Sequence, residues 1–280
     1  MRYRELRVRP PLDLFLECCW SLQGEPAPDD PQVQRIVPDG CLELIVHLGD
    51  PFERITAEGR PVRQESSFLV GQMTRCLLVR PGARVDTFGV RFRPGGLAAF
   101  LAAPADELTD RFTPLSALWG GAAARLEEAL GEAGGDEEHV RVAERFLFGL
   151  LDESRASGPG LRVVLGEILR RRGQVDLARL SRRADLSQRQ LERRFRAAVG
   201  VAPKLLCRMV RFQEVLRRLQ DPGPLSWVDI ALDCGYFDQS HLIRDFQAFA
   251  GAAPSRYLGF ETELARHFRS PRRLAAFFGD

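Results

Sequence analysis

The chain has 280 residues, 45% of them hydrophobic, and no run approaches the roughly 18 continuous apolar positions of a spanning helix, so two globular domains are expected and a membrane protein is not. The formal net charge of +2 hides an asymmetry, because residues 161–280 carry 22 Lys+Arg against 13 Asp+Glu while residues 1–160 carry 18 against 25. A basic half favours a polyanionic partner, since cations that neutralise phosphates release counterions. Six cysteines (Cys18, Cys19, Cys41, Cys76, Cys207, Cys234) show no CxxC pair and no Cys/His ligand spacing, which argues against a disulfide framework or a zinc site and for reduced, buried thiols.

From the N-terminus there is no cationic segment followed by an apolar core and a small-residue cleavage site, so a cytoplasmic protein is expected. Residues 1 to about 92 read as mixed, mostly extended structure. Leu42 to Leu48, Phe68 to Gly71, Leu77 to Val79 and Val85 to Phe92 are short apolar or β-branched runs between Pro-Asp-Gly, Gly-Asp-Pro and Pro-Gly turns, which predicts a small sheet with a barrel as one form of it. After Arg93 the spacing becomes helical, with Pro94 in a first turn before Leu97, Phe100 and Leu101, then Leu118 to Leu130 and His139 to Leu151. Asp152 to Gly160 is polar and contains Gly-Pro-Gly. It divides the chain into a sensing or dimerisation domain (1–152), a linker (153–160) and a helical domain (161–280). The overall expectation is α+β, with an all-α C-terminal part.

The helical part holds a repeat. Leu191, Arg193, Phe195, Gly200 and Pro203 recur 51 residues later as Leu242, Arg244, Phe246, Gly251 and Pro254, which implies two copies of one supersecondary unit. In the first, Val175 to Ala184 is a positioning helix, Asp185 and Leu186 form the turn, and Ser187 caps a helix from about Gln188 to Val199. Leu191, Phe195, Ala198 and Val199 make its buried stripe, leaving Arg189, Glu192, Arg193 and Arg196 outward. Arg can take guanine O6 and N7 together; Glu192 can accept from cytosine N4 or pair with a neighbouring Arg. A long helix from Pro203 to Leu219 follows. The second unit starts at Leu225, turns at Gly235 and is capped by Asp238; Leu242, Phe246, Phe249 and Ala250 are its buried stripe, and Gln239, Ser240, Arg244 and Gln247 face outward. Two reading helices on one strut suit successive major-groove segments, about 34 Å apart, on one face of double-stranded DNA.

The segment Leu180 to Tyr257 resembles the AraC/XylS family of bacterial transcription regulators. The match is carried by Asp229-Ile230-Ala231, by Cys234-Gly235-Tyr236-Phe237-Asp238-Gln239-Ser240-His241-Leu242-Ile243-Arg244-Asp245-Phe246, and by Gly251, Pro254 and Tyr257. The resemblance implies two helix-turn-helix units joined by a long helix, with base or backbone contacts from Arg189, Glu192, Arg193, Gln239, Ser240 and Arg244. Asp185 stands where a Gly is common in the family. The resemblance also implies a sensing or dimerising N-terminal domain, hence a small-molecule effector or a homodimer contact as partners, and RNA polymerase if the regulator is an activator.

In the N-terminal half Asp39, Glu43, His47, Arg91 and Arg93 are the polar candidates. They form either a ligand pocket or ordinary turns and ion pairs. Four scattered histidines, no phosphate-binding Gly-rich loop, and no GxSxG or HExxH motif argue against an enzyme, a resident metal or a cofactor. The alternative to an effector-controlled regulator is a thiol-reactive one, in which Cys18, Cys41 or Cys76 is modified and DNA affinity changes.

Overall fold

A computed structural model describes residues 1–26, 33–220 and 226–258. Leu225, the expected start of the second unit, and the basic stretch Pro271 to Arg273 lie outside the described residues.

Alternation at period two builds the first half. Leu42, Leu44 and Val46 point to one core while Glu43 and Ile45 point to the other face. The strands are β1 (Arg2–Leu6), β2 (Leu16–Gly24), β3 (Gln34–Ile36), β4 (Leu42–His47), β5 (Glu53–Ile55), β6 (Pro61–Arg63), β7 (Ser67–Val70), β8 (Leu77–Arg80), β9 (Val85–Phe92) and β10 (Phe112–Pro114). They pair antiparallel in two sheets, one ordered β1-β2-β9-β4-β7-β10 and the other β3-β8-β5-β6. The barrel expectation is therefore corrected, since β1 and β10 remain separate edges of an open sheet. Both faces of the larger sheet are covered. One packs Leu44, Phe88, Val90 and Phe92 against the helices that follow. The other packs Trp20, Leu22 and Val85 against Val79 of the smaller sheet and Phe52, which precedes β5. Gly89 lies opposite Trp20 in the β2–β9 register, and a Cβ there would sit 2.2 Å from the indole ring, so only glycine fits.

Helical spacing after Arg93 is realised later than expected. Leu97–Ala99 and Ala105–Leu108 are single 3-10 turns; before the first of them Gly95 takes φ +79° and Gly96 leaves no room for a Cβ beside the Phe15 carbonyl. Gly120, at φ 53°, splits the expected Leu118 to Leu130 helix into α1 (Leu115–Trp119) and α2 (Gly121–Glu132). α3 (Asp136–Leu150) packs with α2 through Leu126, Leu130, Val140, Ala143 and Leu147. Between α3 and α4 (Pro159–Arg170), Asp152 caps one 3-10 turn at Glu153–Arg155, and Pro159 stands in the first turn of α4.

The remaining helices are α5 (Leu177–Arg183), α6 (Gln188–Val199), α7 (Pro203–Arg218), α8 (Trp227–Asp233), α9 (Gln239–Ala250) and α10 (Pro254–Leu258). α7 is shared by two cores. Leu206, Cys207 and Val210 join Leu180, Leu191 and Phe195 in one. Met209, Phe212, Val215 and Leu216 join Ile230, Leu242, Phe246 and Phe249 in the other. Among the described residues no helix is long and apolar enough to cross a membrane.

Candidate nucleic-acid interface

Each of the two candidate reading helices is fixed at both ends by its own sequence. Ser187 Oγ accepts from the Gln190 amide at 3.2 Å while the Gln190 side chain accepts from the Ser187 amide at 2.9 Å, a reciprocal capping box that starts α6. Asp238 starts α9 by accepting from the His241 amide at 2.7 Å. Both helices stop at a left-handed glycine, Gly200 at φ 93° and Gly251 at φ 66°, a conformation that favours residues without a Cβ. Asp185, at φ 54°, supplies the left-handed turn before α6.

The expected stripes are buried on both helices: Leu191, Phe195, Ala198 and Val199 on α6, and Leu242, Phe246, Phe249 and Ala250 on α9. Arg189, Glu192, Arg193 and Arg196 are all exposed, as are Gln239, Ser240, Arg244 and Gln247. Their states differ. Arg196 is paired with Glu192 at 3.1 Å, one helical turn away, and Arg244 Nε donates to the Ser240 carbonyl at 3.3 Å. Arg189 and Arg193 make no ion pair among the described residues, so both guanidinium groups are available to a ligand.

Sequence reasoning missed what holds the second unit to the strut. Asp245, 2% exposed, accepts from Arg208 Nε at 3.0 Å and Nη2 at 2.7 Å, fixing α9 to α7. Arg211 lies over the Tyr236 ring at 5.3 Å, and Phe212 meets Phe246 edge-on at 5.1 Å between ring centres. Asp245 falls three residues from Leu242 and one from Phe246, on the inward side, and a carboxylate at such a position signals an Arg partner on a neighbouring helix.

Sequence reasoning also missed that the N-terminal half touches the ends of both candidate helices. Thr109 Oγ1 donates to the Gly200 carbonyl at 2.6 Å, and the Arg35 guanidinium donates to the Ala250 carbonyl. Between them Gln213 of α7 donates to the Pro38 carbonyl at 2.6 Å, Val37 joins the core of the second unit, and Cys41 joins that of the first. Helix C-termini leave carbonyls unsatisfied, and here one at each helix is satisfied from across the molecule.

The polar candidates of the N-terminal half separate into pairs and hydrogen-bonded groups. Arg91, 3% exposed, bonds Asp39 at 2.7 Å and Glu43 at 2.6 Å. Arg93 Nε donates to the Asp13 carbonyl at 2.9 Å, and His47 lies between Thr87 Oγ1 at 3.0 Å and Gln64 Oε1 at 2.9 Å. Burial pushes the Glu17 carboxyl up to about 7, against the attraction of Arg91, and desolvation lowers the His47 imidazole. Burial also raises the Cys18, Cys19 and Cys41 thiols well above their ordinary range, whereas Cys76 is half-buried.

Residues 4–114 match a family described as a domain of unknown function (DUF6597), and residues 180–259 match a helix-turn-helix domain family. No curated protein matches the chain. Among solved structures the chain is similar to ToxT from Vibrio cholerae at 11% identity and TM-score 0.44, over 86% of this chain and 98% of that one. It is similar to ToxT bound to (E)-4-(8-methylnaphthalen-1-yl)but-3-enoic acid at 12% identity and TM-score 0.42, over 82% and 97% of the two chains. The corresponding values for unsaturated fatty acid bound wild-type ToxT are 13% and 0.41, over 85% and 97%.

Proposed function

We propose, from the premise that the C-terminal domain belongs to the AraC/XylS family of DNA-binding transcription regulators, that this chain reads a bipartite duplex site through α6 and α9. The observation that carries this is the pairing of two capped helices, each with an outward row of Arg, Gln, Ser or Glu, on one shared strut. Arg suits guanine and Gln suits adenine, so the outward rows carry chemistry for sequence discrimination as well as for phosphate. Residues 161–280 act as the reader and residues 1–152 as a sensing or dimerising part joined through 153–160, and the protein works in the cytoplasm.

Control runs through the contacts at the helix ends. A signal that moves the N-terminal half shifts Thr109 and Arg35 together, and with them the presentation of α6 and α9, provided the signal binds the two states differently. A cleft of about 480 Å³, lined by Leu101, Pro104, Ser157, Asp185, Arg194 and Ala198, opens between the halves beside the first turn and supports a small-molecule effector. Self-association has the outer side of α3, where Phe148 is exposed, as its candidate surface.

The test is selection of bound duplexes from a randomised pool by the full-length protein, followed by salt titration of the enriched site and a scrambled control. The expected result is two short blocks about one helical turn apart and a steep fall of affinity with salt. Failure to enrich, by both the full chain and the 161–280 fragment, would remove the reading. Enrichment by the fragment alone would show that the N-terminal half holds the reader off.

A thiol-controlled version of the same regulator is favoured by one observation. Arg35, which grips the Ala250 carbonyl, also places its Nη1 3.5 Å from the Cys76 sulfur. Modification there would act on the end of α9. A thiol probe on the native protein is expected to label Cys76 first, and labelled protein to lose affinity for the enriched duplex. Uniformly slow labelling of all six cysteines, or full affinity after labelling, would remove this version.

A further inference from the structure

The two helix-turn-helix units are hydrogen-bonded alike up to a single residue. In the first, Asp185 is left-handed at φ 54°, the Leu186 amide donates to the Ser181 carbonyl at 2.9 Å, and Ser187 then caps α6. In the second, Gly235 is left-handed at φ 75°, and the Tyr236 amide donates to the Ala231 carbonyl at 2.9 Å. Leu186 and Tyr236 therefore hold the same place, and Tyr236 is turned inward at 3% exposure. Asp238, however, caps α9 one residue later than Ser187 caps α6. The extra residue is Phe237. At 87% exposure it is the most exposed of the large apolar side chains among the described residues.

A single exposed apolar side chain requires no explanation on its own. This one stands directly before the cap of α9, next to Gln239 and Ser240. The Asp238 carboxylate holds the His241 amide, so the start of the helix is fixed and the direction in which the chain approaches it is constrained. In a reading helix the N-terminal residues meet base edges in the major groove. The apolar group displayed there by the ordinary bases is the 5-methyl of thymine, and Phe is among the side chains that contact it.

We propose that Phe237 is a specificity-determining residue that packs on the methyl group of a thymine in the block read by α9. The proposal rests on the reading of α9 as a DNA-reading helix. The inserted residue gives the second unit an apolar contact that the first unit, with Ser187 following Leu186 directly, does not possess. Bases flanking the contacts of Gln239 and Arg244 are thereby discriminated by hydrophobic burial rather than by hydrogen bonding.

The test uses the full-length protein and duplexes enriched from the randomised pool. The block assigned to α9 is the one whose preference is lost in Arg244→Ala, and each of its thymines is replaced in turn by deoxyuridine, which lacks only the methyl. For the unaltered protein one replacement is expected to weaken binding about three- to fivefold, the size of one methyl group returned to water. Phe237→Ala is expected to lose a similar factor or more on the thymine duplex and to be indifferent to that replacement, while Phe237→Leu keeps part of the sensitivity. The variants change a side chain that is 87% exposed, so nearly unchanged melting temperatures are expected. If no replacement distinguishes Phe237→Ala from the unaltered protein, or if Phe237→Ala binds undiminished, the inference is overturned and Phe237 belongs instead with exposed Val228 and Leu232 to a protein contact. Absence of any enriched duplex would overturn the reading of α9 itself, a different outcome from enrichment without thymine coupling.

Discussion

Arg193→Ala and Arg244→Ala are each expected to weaken binding to the selected duplex by about 1–3 kcal/mol, roughly five- to 150-fold in Kd, and to relax the preference in one block only. The effect is specific because the two residues hold the same place in the repeat, 51 positions apart, on helices that carry separate cores. Loss in one block with the other intact is what two independent readers require, and the double substitution should be close to additive. Arg196→Ala is expected to cost less than Arg193→Ala, because Arg196 already bonds Glu192 while Arg193 has no ion pair among the described residues to exchange. An exposed pair of that kind contributes little to folding, so the Arg196 and Glu192 substitutions should leave melting unchanged. Unchanged operator binding in both Arg193→Ala and Arg244→Ala would sink the assignment of these contacts; an equal loss on scrambled DNA would reduce them to phosphate contacts.

The legible part of the molecule was the part whose structure is local. A capped helix announces itself through Ser187 or Asp238, an apolar stripe at helical spacing and a closing glycine, and all of these lie within about 14 residues. Both α6 and α9 accordingly begin and end where the sequence placed them, and the expected stripes are buried. The strut was equally plain because Pro203 opens it and seven apolar residues repeat along it. The one-residue difference between the turns was also present in the chain. The constant offset of 51 concealed it, because the offset is set by the caps while the left-handed residues, Asp185 and Gly235, lie 50 apart.

Pairings between distant segments were less legible. Turns and ion pairs were one of two open readings of the polar residues in the N-terminal half, with the acidic partner of Arg91 unnamed, and only the register of β4 against β9, which sets Glu43 opposite Arg91, identifies it. Thr109 at Gly200 and Arg35 at Ala250 carry no periodicity at all, since each is a polar side chain meeting a backbone carbonyl far away in sequence. Helical spacing near Leu97 misled for a related reason. Apolar residues at helical intervals also suit a chain that makes single turns between glycines against a sheet, as the close approach of Gly96 to Phe15 requires.

Arg91→Ala is expected to cost the N-terminal half about 3–5 kcal/mol of stability, because it leaves Asp39 and Glu43 without the cation that both of them bond. Against a total of about 5–15 kcal/mol for a domain, that is a large share, and the melting temperature should fall on the order of 10 °C. The loss should depend on pH in a definite direction. Burial already raises the Glu43 carboxyl, and losing Arg91 removes the strongest opposition to that and leaves only the smaller lowering from the Trp20 hydrogen bond, so in the variant the folded protein binds more protons than the unfolded chain above the ordinary carboxylate range. Stability of the variant therefore falls as pH rises through that window and recovers towards acid pH, where both states are protonated. Arg91→Lys keeps a charge but not the fork that serves both carboxylates, and should be intermediate. Combining Arg91→Met with Asp39→Asn and Glu43→Gln removes the charges together and should recover much of the loss. The reader should feel the change too. Asp39 accepts from the Cys41 amide at 3.0 Å and adjoins Pro38, whose carbonyl holds Gln213 of the strut, so freeing Asp39 loosens the loop that ties the sheet to α7. DNA affinity of Arg91→Ala should then approach that of the 161–280 fragment. A variant that melts as the unaltered protein does, or whose loss is flat with pH, would show that the Arg91 cluster is not what fixes the loop.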